Sequence, residues 1–266
     1  MLAVGGQRVT EFLSSVLPVP GDSRLEDEFQ RPLVTLTFAQ SLDAKIAGKG
    51  GKQLILSGRE SMLMTHWMRT KHDAILVGIG TALNDDPQLN SRHIPEDERP
   101  SHLPRPVILD TNLRLRPDCK LLKNYRERKG RRPWVICDAN LSSGDGRKSI
   151  LEDAGARVIG VPSVDVIWIS SGFIVIPDLL KVLYNFGIKS LMVEGGATVI
   201  GSFLAECART KPNTIIDTLI ITIAPMLIGD DGVGYGEKLL ATQIPSLKHI
   251  QTEVMGRDVV IVSALK

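Results

Sequence analysis

Short apolar runs alternate with stretches of helical spacing along most of this chain. Runs rich in β-branched residues are typical of buried strands, and apolar residues three and four positions apart are typical of helices packed on a sheet. The first pattern predicts strands at residues 32–39, 73–78, 106–110, 134–138, 156–161, 188–194 and 218–224, with a hairpin of residues 253–255 and 258–263. The second predicts helices at residues 58–70, 147–153 and 177–186 and from residue 199 onward.

The order of these elements predicts an α/β fold. Strand–helix–strand units with short loops favour parallel strands joined by right-handed crossovers. We therefore expect a mainly parallel central sheet with helices on both faces and a C-terminal antiparallel hairpin. Residues 1–30 are predicted to be an N-terminal extension with a short helix, capped by Thr10 and ending at Leu17, and residues 31–266 a single domain. Residues 163–176 fit either an added hairpin or an insertion.

The predicted helix at residues 58–70 carries two local signals. Ser57-Gly-Arg-Glu60 has the spacing of a capping box, in which the serine hydroxyl accepts a helical N–H and the glutamate reaches back. His66 shares an apolar face with Trp67, which favours a core or rim histidine over a ligand. In contrast, the basic stretch at residues 116–132 fits a solvated connector better than a binding patch.

The stretch Ile188-Lys-Ser-Leu-Met-Val-Glu194-Gly195-Gly196-Ala197-Thr198 predicts a buried strand that turns tightly into a helix. The first N–H groups of such a helix point outward, and the helix dipole favours an anion there, such as the phosphate of a nucleotide. The two glycines fit a plain strand-to-helix turn equally well, so this stretch alone leaves both interpretations open.

Two other strand ends carry polar residues and glycines. One is Gly78-Ile-Gly80-Thr81 followed by Asp85, which is not the dinucleotide fingerprint because Leu83 occupies the position of the third glycine. The other places Asp43 and Lys45 after the first strand, where a pocket mouth and a solvated turn are equally good interpretations. Ligands of open α/β sheets bind at the carboxyl ends of the strands.

Composition narrows the class of protein. Apolar residues make up 43% and charged residues 23% of the 266 positions, which is ordinary for a globular protein. A net charge of +2 argues against nucleic-acid binding. The three cysteines lie far apart without a CxxC pair, which predicts reduced thiols, a cytoplasmic location and no zinc site. No secretory signal is recognised, and the apolar region 215–228 is interrupted by polar residues, so we expect no membrane association.

Five stretches in order resemble one known family. They are Phe38-Ala-Gln-Ser-Leu-Asp43-Ala-Lys-Ile-Ala47, Asp73-Ala-Ile-Leu-Val-Gly-Ile-Gly-Thr81-Ala-Leu-Asn-Asp85-Asp-Pro-Gln-Leu89, Val107-Ile-Leu-Asp110, Val193-Glu-Gly-Gly196 and Asp217-Thr-Leu-Ile-Ile-Thr-Ile-Ala-Pro225-Met-Leu-Ile-Gly229. Through these motifs, residues 32–265 are similar to the riboflavin-biosynthesis reductase family of the RibD C-terminal type.

This resemblance implies a dihydrofolate-reductase-like fold, NADPH as cofactor and a homodimer. The family reduces the ribosylamino side chain of a pyrimidine 5′-phosphate to a ribitylamino side chain. Bacterial relatives often carry a zinc deaminase with His-x-Glu and Pro-Cys-x-x-Cys. Neither motif occurs in this sequence, so we expect a stand-alone reductase of 2,5-diamino-6-ribosylamino-4(3H)-pyrimidinone 5′-phosphate. The alternatives are reduction of the deaminated 5-amino-6-ribosylamino-uracil 5′-phosphate, and a nucleotide-binding module without turnover.

The resemblance also implies site residues, with no metal among the ligands. Cofactor-binding positions are Thr81, Asp85, Val161, Gly195, Gly196, Ala197, Thr198 and Val199. Substrate-binding positions are Arg69, Leu89, Arg92 and Glu194. Candidates for assisting ring opening or proton delivery are Glu194, Asp43 and Lys45.

The chain departs from the family pattern in one region. Ala44 replaces a usual glycine, and Lys52 and Leu54 occupy positions where some relatives have serine and tryptophan. Selection of NADPH over NADH requires a cation or hydroxyl near the 2′-phosphate, and the candidates from sequence are Thr111, Lys52 and Arg59.

Overall fold

The computed structural model describes residues 2–18, 30–95, 98, 103–141, 146–164, 173–210, 214–236, 239 and 245–266. The strands are β1 (Leu33–Ser41), β2 (Ala74–Gly78), β3 (Arg105–Leu109), β4 (Trp134–Asp138), β5 (Arg157–Val161), β6 (Ser163–Val164), β7 (Phe173–Ile174), β8 (Ser190–Gly195), β9 (Thr218–Ala224), β10 (Leu247–Met255) and β11 (Asp258–Leu265). The α-helices are α1 (Leu2–Val16), α2 (Arg59–Thr70), α3 (Ile79–Asp85), α4 (Lys120–Arg126), α5 (Gly146–Asp153), α6 (Ile176–Asn185) and α7 (Ala197–Arg209).

The main sheet has the strand order β10-β11-β9-β1-β8-β2-β3-β4-β5. The seven neighbouring strands β9, β1, β8, β2, β3, β4 and β5 all pair in parallel. Strand β11 pairs antiparallel with β9, and β10 pairs antiparallel with β11. The predicted mainly parallel sheet with a C-terminal antiparallel hairpin is therefore confirmed. Strand β8 lies between β1 and β2, so its carboxyl end is at the centre of the sheet.

Helices cover both faces of this sheet, as predicted. Successive strand residues point to opposite faces: Ile75 and Val77 of β2 belong to one buried cluster, and Leu76 belongs to the other. The first cluster includes buried side chains of α1, α2, α4 and α5. The second includes those of α6 and α7. The carboxyl edge of the sheet is thus left as the place where a ligand can reach the strand ends.

Helix α1 is longer than the sequence predicted. It begins at Leu2, and Thr10 lies inside it, where its hydroxyl donates to the Gln7 carbonyl at 2.9 Å. The predicted cap at Thr10 is therefore wrong. Side chains of α1 at helical spacing, of which Val9 lies upstream of Thr10, pack into the core with α2; they are Val9, Phe12, Leu13 and Val16. The division into an extension and one domain stays a prediction, because residues 19–29 lie outside the described ranges.

The range of helix α2 matches the prediction, but the predicted capping box at Ser57 is wrong. The N-cap residue is Gly58, which has no side chain to cap with. Instead Asp258, at the start of β11, accepts the Gly58 N–H at 2.6 Å and the hydroxyl of Ser61. A carboxylate distant in sequence therefore replaces the local Ser57 cap. His66 is 2% exposed, which confirms the expected core position.

The segment before α6 contains a short antiparallel pair. Ser163 pairs with Ile174 and Val164 with Phe173, which favours the hairpin interpretation of residues 163–176. Residues 165–172 lie outside the described ranges. None of the helices in the described ranges is both long and apolar enough to cross a membrane.

Candidate active site

A cleft of about 630 Å³ opens at the carboxyl ends of β1, β2, β3 and β8. This size is within the range of small-molecule sites. Its lining residues are Phe38, Ala39, Ile46, Ala47, Gly51, Gln53–Ser57, Met62, Gly78–Thr81, Asn84, Asp85, Leu109, Thr111, Arg114, Ile174, Ile176, Glu194, Gly196–Ile200, Ser202 and Val233. The cleft therefore has the location that the sequence predicted for a ligand.

The turn from β8 into α7 forms one wall of this cleft. Gly195 and Gly196 have φ angles of 92° and 95°, a conformation that favours glycine. Gly196 is the N-cap of α7, and the first helical turn lines the cleft. The unbonded N–H groups of this turn and the helix dipole favour an anion. The strand-to-helix turn predicted from the sequence is thus present and faces the ligand space.

Helix α3 approaches this turn closely. Strand β2, which leads into α3, is hydrogen-bonded to β8 with Val77 opposite Gly195. The Thr81 hydroxyl donates to the Gly195 carbonyl at 3.3 Å. A Cβ atom built on Gly196 would lie 2.6 Å from Thr81 Oγ1, which is a steric overlap. The glycine therefore serves the turn and also brings two cleft-lining segments together.

Asp85 lies one helical turn after Thr81 and also lines the cleft. Burial raises the pKa of its carboxyl above the ordinary value. Val161 is different. It is fully buried at the end of β5 and is not among the cleft residues. Its carbonyl accepts the Ala139 N–H at 3.0 Å. The structure therefore brings Thr81 and Asp85 together with the glycine turn, but it does not bring Val161 there.

Glu194 forms a two-point ion pair with Arg69 at the end of β8. The Arg69 Nε–Glu194 Oε1 and Arg69 Nη2–Glu194 Oε2 distances are 2.6 and 2.7 Å. Arg69 Nη1 also donates to the Asn90 carbonyl at 3.0 Å. Burial would lower the pKa of Arg69, but the Glu194 charge and hydrogen bonds raise it overall. Two parallel charge-assisted bonds fix the orientation of both groups, and Glu194 lines the cleft.

The loop after α3 gathers around this pair. Leu89 is buried with a φ of 46°, and the Arg92 N–H donates to His66 Nδ1 at 3.3 Å. Burial, and then the charges of Arg69, His93 and Arg92, lower the pKa of His66 to about 3. Burial, and then the Arg69 charge, lower the pKa of Arg92. The four predicted substrate residues are thus neighbours, although among them only Glu194 lines the cleft itself.

Asp43 holds a loop in place. Its carboxylate accepts the Ser41 hydroxyl at 2.5 Å, the Gly229 N–H at 2.7 Å and the Ile228 N–H at 3.1 Å. These bonds, the one from Ser41 first, lower the pKa of Asp43 to about 2. Neither Asp43 nor Lys45 is among the cleft residues, whereas the following Ile46 and Ala47 are. The structure therefore brings only Glu194 of the three catalytic candidates to the cleft.

Several cleft residues were not predicted from the sequence. Arg114, which follows β3, lines the cleft beside Thr111, whereas Lys52 and Arg59 do not line it. The apolar wall comes from three separate segments, and its members are Leu54, Ile55, Leu56, Met62, Ile174 and Ile176. Ile55 is 81% exposed. No spacing pattern links these residues, since only the fold brings them together.

Comparison with known proteins places the chain in a family. The family model described as the RibD C-terminal domain matches residues 32–261. The chain belongs to the RibD C-terminal domain family. This confirms the resemblance that the five sequence motifs indicated.

Several fungal relatives carry the name of one reductase. The chain is similar to the 2,5-diamino-6-ribosylamino-4(3H)-pyrimidinone 5′-phosphate reductase of Debaryomyces hansenii, at 40% identity over 84% of this chain and 83% of the relative. It is 34% identical to the Saccharomyces cerevisiae protein of that name, over 84% of this chain and 82% of the relative. A solved riboflavin biosynthesis reductase from the same yeast matches with a TM-score of 0.71 and 30% identity, over 96% of this chain and 98% of that one.

Proposed function

We propose that this RibD C-terminal domain protein is a reductase of riboflavin biosynthesis. It converts the ribosylamino side chain of 2,5-diamino-6-ribosylamino-4(3H)-pyrimidinone 5′-phosphate to the ribitylamino form, with NADPH as the reductant. The observation that carries this proposal is one cleft that is lined by Thr81, by the start of α7 and by Glu194, whose carboxylate is held by Arg69. The yeast relatives named as this reductase support it.

The residues present fit a dinucleotide. Helix α7 offers its N-terminal N–H groups to the pyrophosphate, and the absence of a Cβ at Gly196 lets Thr81 approach the start of this helix. The apolar wall around Ile55 suits the rings of the cofactor. When bound, the nicotinamide supplies a hydride. The chain would hold this group through the start of α7, Thr81 and Asp85.

Preference for NADPH over NADH is assigned to the segment after β3. Thr111 and Arg114 both line the cleft, and Arg114 Nε is 3.9 Å from the buried Asp110 carboxylate. A guanidinium and a hydroxyl together suit the 2′-phosphate of NADPH. Lys52 and Arg59, which were the other candidates, lack a place in the cleft lining.

The substrate is assigned to the Glu194 side of the cleft. Arg69 orients the Glu194 carboxylate, which then accepts hydrogen bonds from ribose hydroxyls. Arg92, which is near Arg69, supplies positive charge for the 5′-phosphate. The protein thereby aligns the two bound molecules and excludes water. Alignment of this kind is its main contribution to a hydride transfer. Glu194 assists opening of the aminoribose ring, since Asp43 and Lys45 lie outside the cleft.

The test is turnover with two defined substrates. Purified protein is incubated with NADPH and either the diamino pyrimidine or its deaminated counterpart, and loss of NADPH absorbance is followed. We expect a higher kcat/KM for the diamino compound. A higher value for the deaminated compound would assign the chain to the later step. Tight NADPH binding without oxidation with either compound would assign it to a nucleotide-binding module.

We also propose a cytoplasmic homodimer, as the family resemblance implies. Strand β10 is at the edge of the sheet, and its apolar side chains Leu247, Ile250 and Val254 are 45–55% exposed. An exposed edge of this kind is suited to pairing with a second copy. The buried, free cysteines Cys119, Cys137 and Cys207 fit a reducing compartment. Sedimentation velocity tests the dimer, and a monomer at micromolar concentration would contradict it.

A further inference from the structure

Four arginines gather at the amino edge of the sheet, opposite the cleft. Arg105 is the first residue of β3 and Arg157 the first residue of β5, while Arg131 and Arg132 precede β4. The strands β3, β4 and β5 are parallel neighbours, so their first residues meet at one edge. We call these four residues the arginine cluster.

Two members of the arginine cluster are held by aromatic rings. The Arg105 Cζ atom lies 4.4 Å from the centre of the Trp134 ring, and the Arg157 Cζ atom lies 5.4 Å from the same centre. Arg157 also lies 4.2 Å from the centre of the Phe186 ring. Cation–π contacts at these distances fix a guanidinium without neutralising its charge.

The other two members are held by backbone carbonyls. Arg131 Nη1 donates to the Leu103 carbonyl at 3.4 Å. Arg132 Nε and Nη2 donate to the carbonyls of Gly155 and Ala156 at 3.1 and 2.7 Å. These bonds occupy a few of the five donors that each guanidinium carries. Across the described ranges, no carboxylate pairs with any of the four arginines.

Burial and the neighbouring positive charges both act on Arg105. Burial, and then the charges of Arg131, Arg157 and Arg132, lower the pKa of Arg105 to about 10. Its Nε atom is buried without a hydrogen-bond partner in the described part of the chain. A buried donor beside three further cations is unfavourable unless an acceptor reaches it. The arginine cluster therefore carries more positive charge, and leaves more hydrogen-bond donors without acceptors, than a purely structural role requires.

We propose that the arginine cluster is a second binding site, which takes a diphosphate or triphosphate group. Guanidinium forks match phosphate oxygens with paired hydrogen bonds. A single phosphate ester carries a charge of about −1.5 to −2, which leaves four guanidiniums under-neutralised. A chain of two or three phosphates matches their number better. The cluster is compact, whereas a nucleic acid requires a basic stripe along its backbone.

The test is calorimetric titration of the full-length protein with inorganic pyrophosphate. Arg157→Gln is the decisive variant, because the contacts of Arg157 with Trp134 and Phe186 hold no backbone segment in place. We expect it to weaken binding about tenfold or more. Arg131→Gln is a second variant with the same expectation. Arg116→Gln removes an exposed arginine paired with Asp118 and is expected to leave the affinity unchanged.

A further variant separates this site from the cleft. Gly196→Ala alters the start of α7, and we expect pyrophosphate to bind the arginine cluster as tightly as in the unaltered protein. Binding that is lost in Gly196→Ala but retained in Arg157→Gln and Arg131→Gln would overturn the proposal, as would an absence of binding by the unaltered protein. Titration with ATP distinguishes two sources of the same group: tighter binding than pyrophosphate indicates a nucleotide, and equal binding indicates the polyphosphate alone.

Discussion

At Gly196 a hydrogen atom occupies the place of a side chain, and a Cβ atom there would lie 2.6 Å from Thr81 Oγ1. We predict that Gly196→Ala weakens NADPH binding about tenfold or more, because the methyl group separates α3 from the start of α7. The φ of 95° adds a strain of about 1–3 kcal/mol. Fluorescence titration with NADPH measures the affinity, and chemical denaturation measures the stability.

Gly187 provides the matched control for this variant. It also has a positive φ, of 86°, but nothing lies within 4 Å of a Cβ built on it, and it is not among the cleft residues. Gly187→Ala should therefore lose stability through backbone strain while it keeps the NADPH affinity. Equal affinities in the two alanine variants would mean that Gly196 serves only the turn.

Glu194 is the catalytic candidate that lines the cleft. Replacement by glutamine keeps the shape but removes the charge that faces Arg69 at 2.6 and 2.7 Å. We predict that Glu194→Gln lowers kcat/KM for the pyrimidine substrate by about tenfold or more, since both substrate orientation and ring opening depend on the carboxylate. The NADPH affinity should change little. Unaltered steady-state kinetics would remove Glu194 from the mechanism.

At the scale of elements, the start of α2 depends on a residue from the other end of the chain. Asp258 is fully buried and accepts the N–H of Gly58 and the hydroxyl of Ser61. We predict that Asp258→Asn lowers the free energy of unfolding by about 1–3 kcal/mol. Ser57→Ala should stay within about 0.5 kcal/mol, because Ser57 does not cap the helix. Urea denaturation of both variants checks this. A larger loss of stability in Ser57→Ala than in Asp258→Asn would mean that Ser57 caps the helix after all.

The Asp43 carboxylate holds the loop at residues 228–229 against the end of β1. Its pKa of about 2 lies below the ordinary value of 3.8, so this contribution is complete above about pH 4 and is lost as the pH falls towards 2. We predict that Asp43→Asn accelerates hydrogen exchange of the Gly229 amide and lowers turnover only modestly. Lost turnover with unchanged exchange would instead assign Asp43 a direct catalytic role.

At the scale of the whole molecule, two buried histidines couple stability to pH. Burial is the first cause that lowers the pKa of both His66 and His72, and His66 falls to about 3. Because the pKa of each is lower in the folded protein, the unfolded chain binds more protons than the folded one below about pH 6.5. We predict that stability falls with pH below 6.5 by up to about 1.4 kcal/mol per pH unit for each histidine.

His66→Gln tests this coupling, with His249→Gln as the control because His249 is exposed. Urea denaturation between pH 7 and pH 5 should show a shallower pH dependence for His66→Gln than for the unaltered protein. His249→Gln should keep the full dependence. A pH dependence that His66→Gln does not change would contradict the assignment to a buried neutral imidazole.

The sequence predicted the parts of the molecule that are encoded locally. Apolar runs gave the strands, and the glycines after Glu194 predicted the strand-to-helix turn. Features that depend on contacts between distant segments were missed or wrong: the Asp258 cap of α2, the place of Arg114 in the cleft and the role of Asp43 as a loop anchor. The length of helix α1 was underestimated, because its buried face becomes apparent only when α2 is packed against it.

The central claim is that this chain brings a nicotinamide and an aminoribose together in one cleft. The most direct test uses NADPH that carries deuterium in the transferred position at C4 of the nicotinamide, incubated with the protein and the diamino pyrimidine ribose phosphate. We predict a ribitylamino product with deuterium at C1′, formed in proportion to the NADPH consumed. A product without deuterium at C1′, or no product at all, would contradict the account.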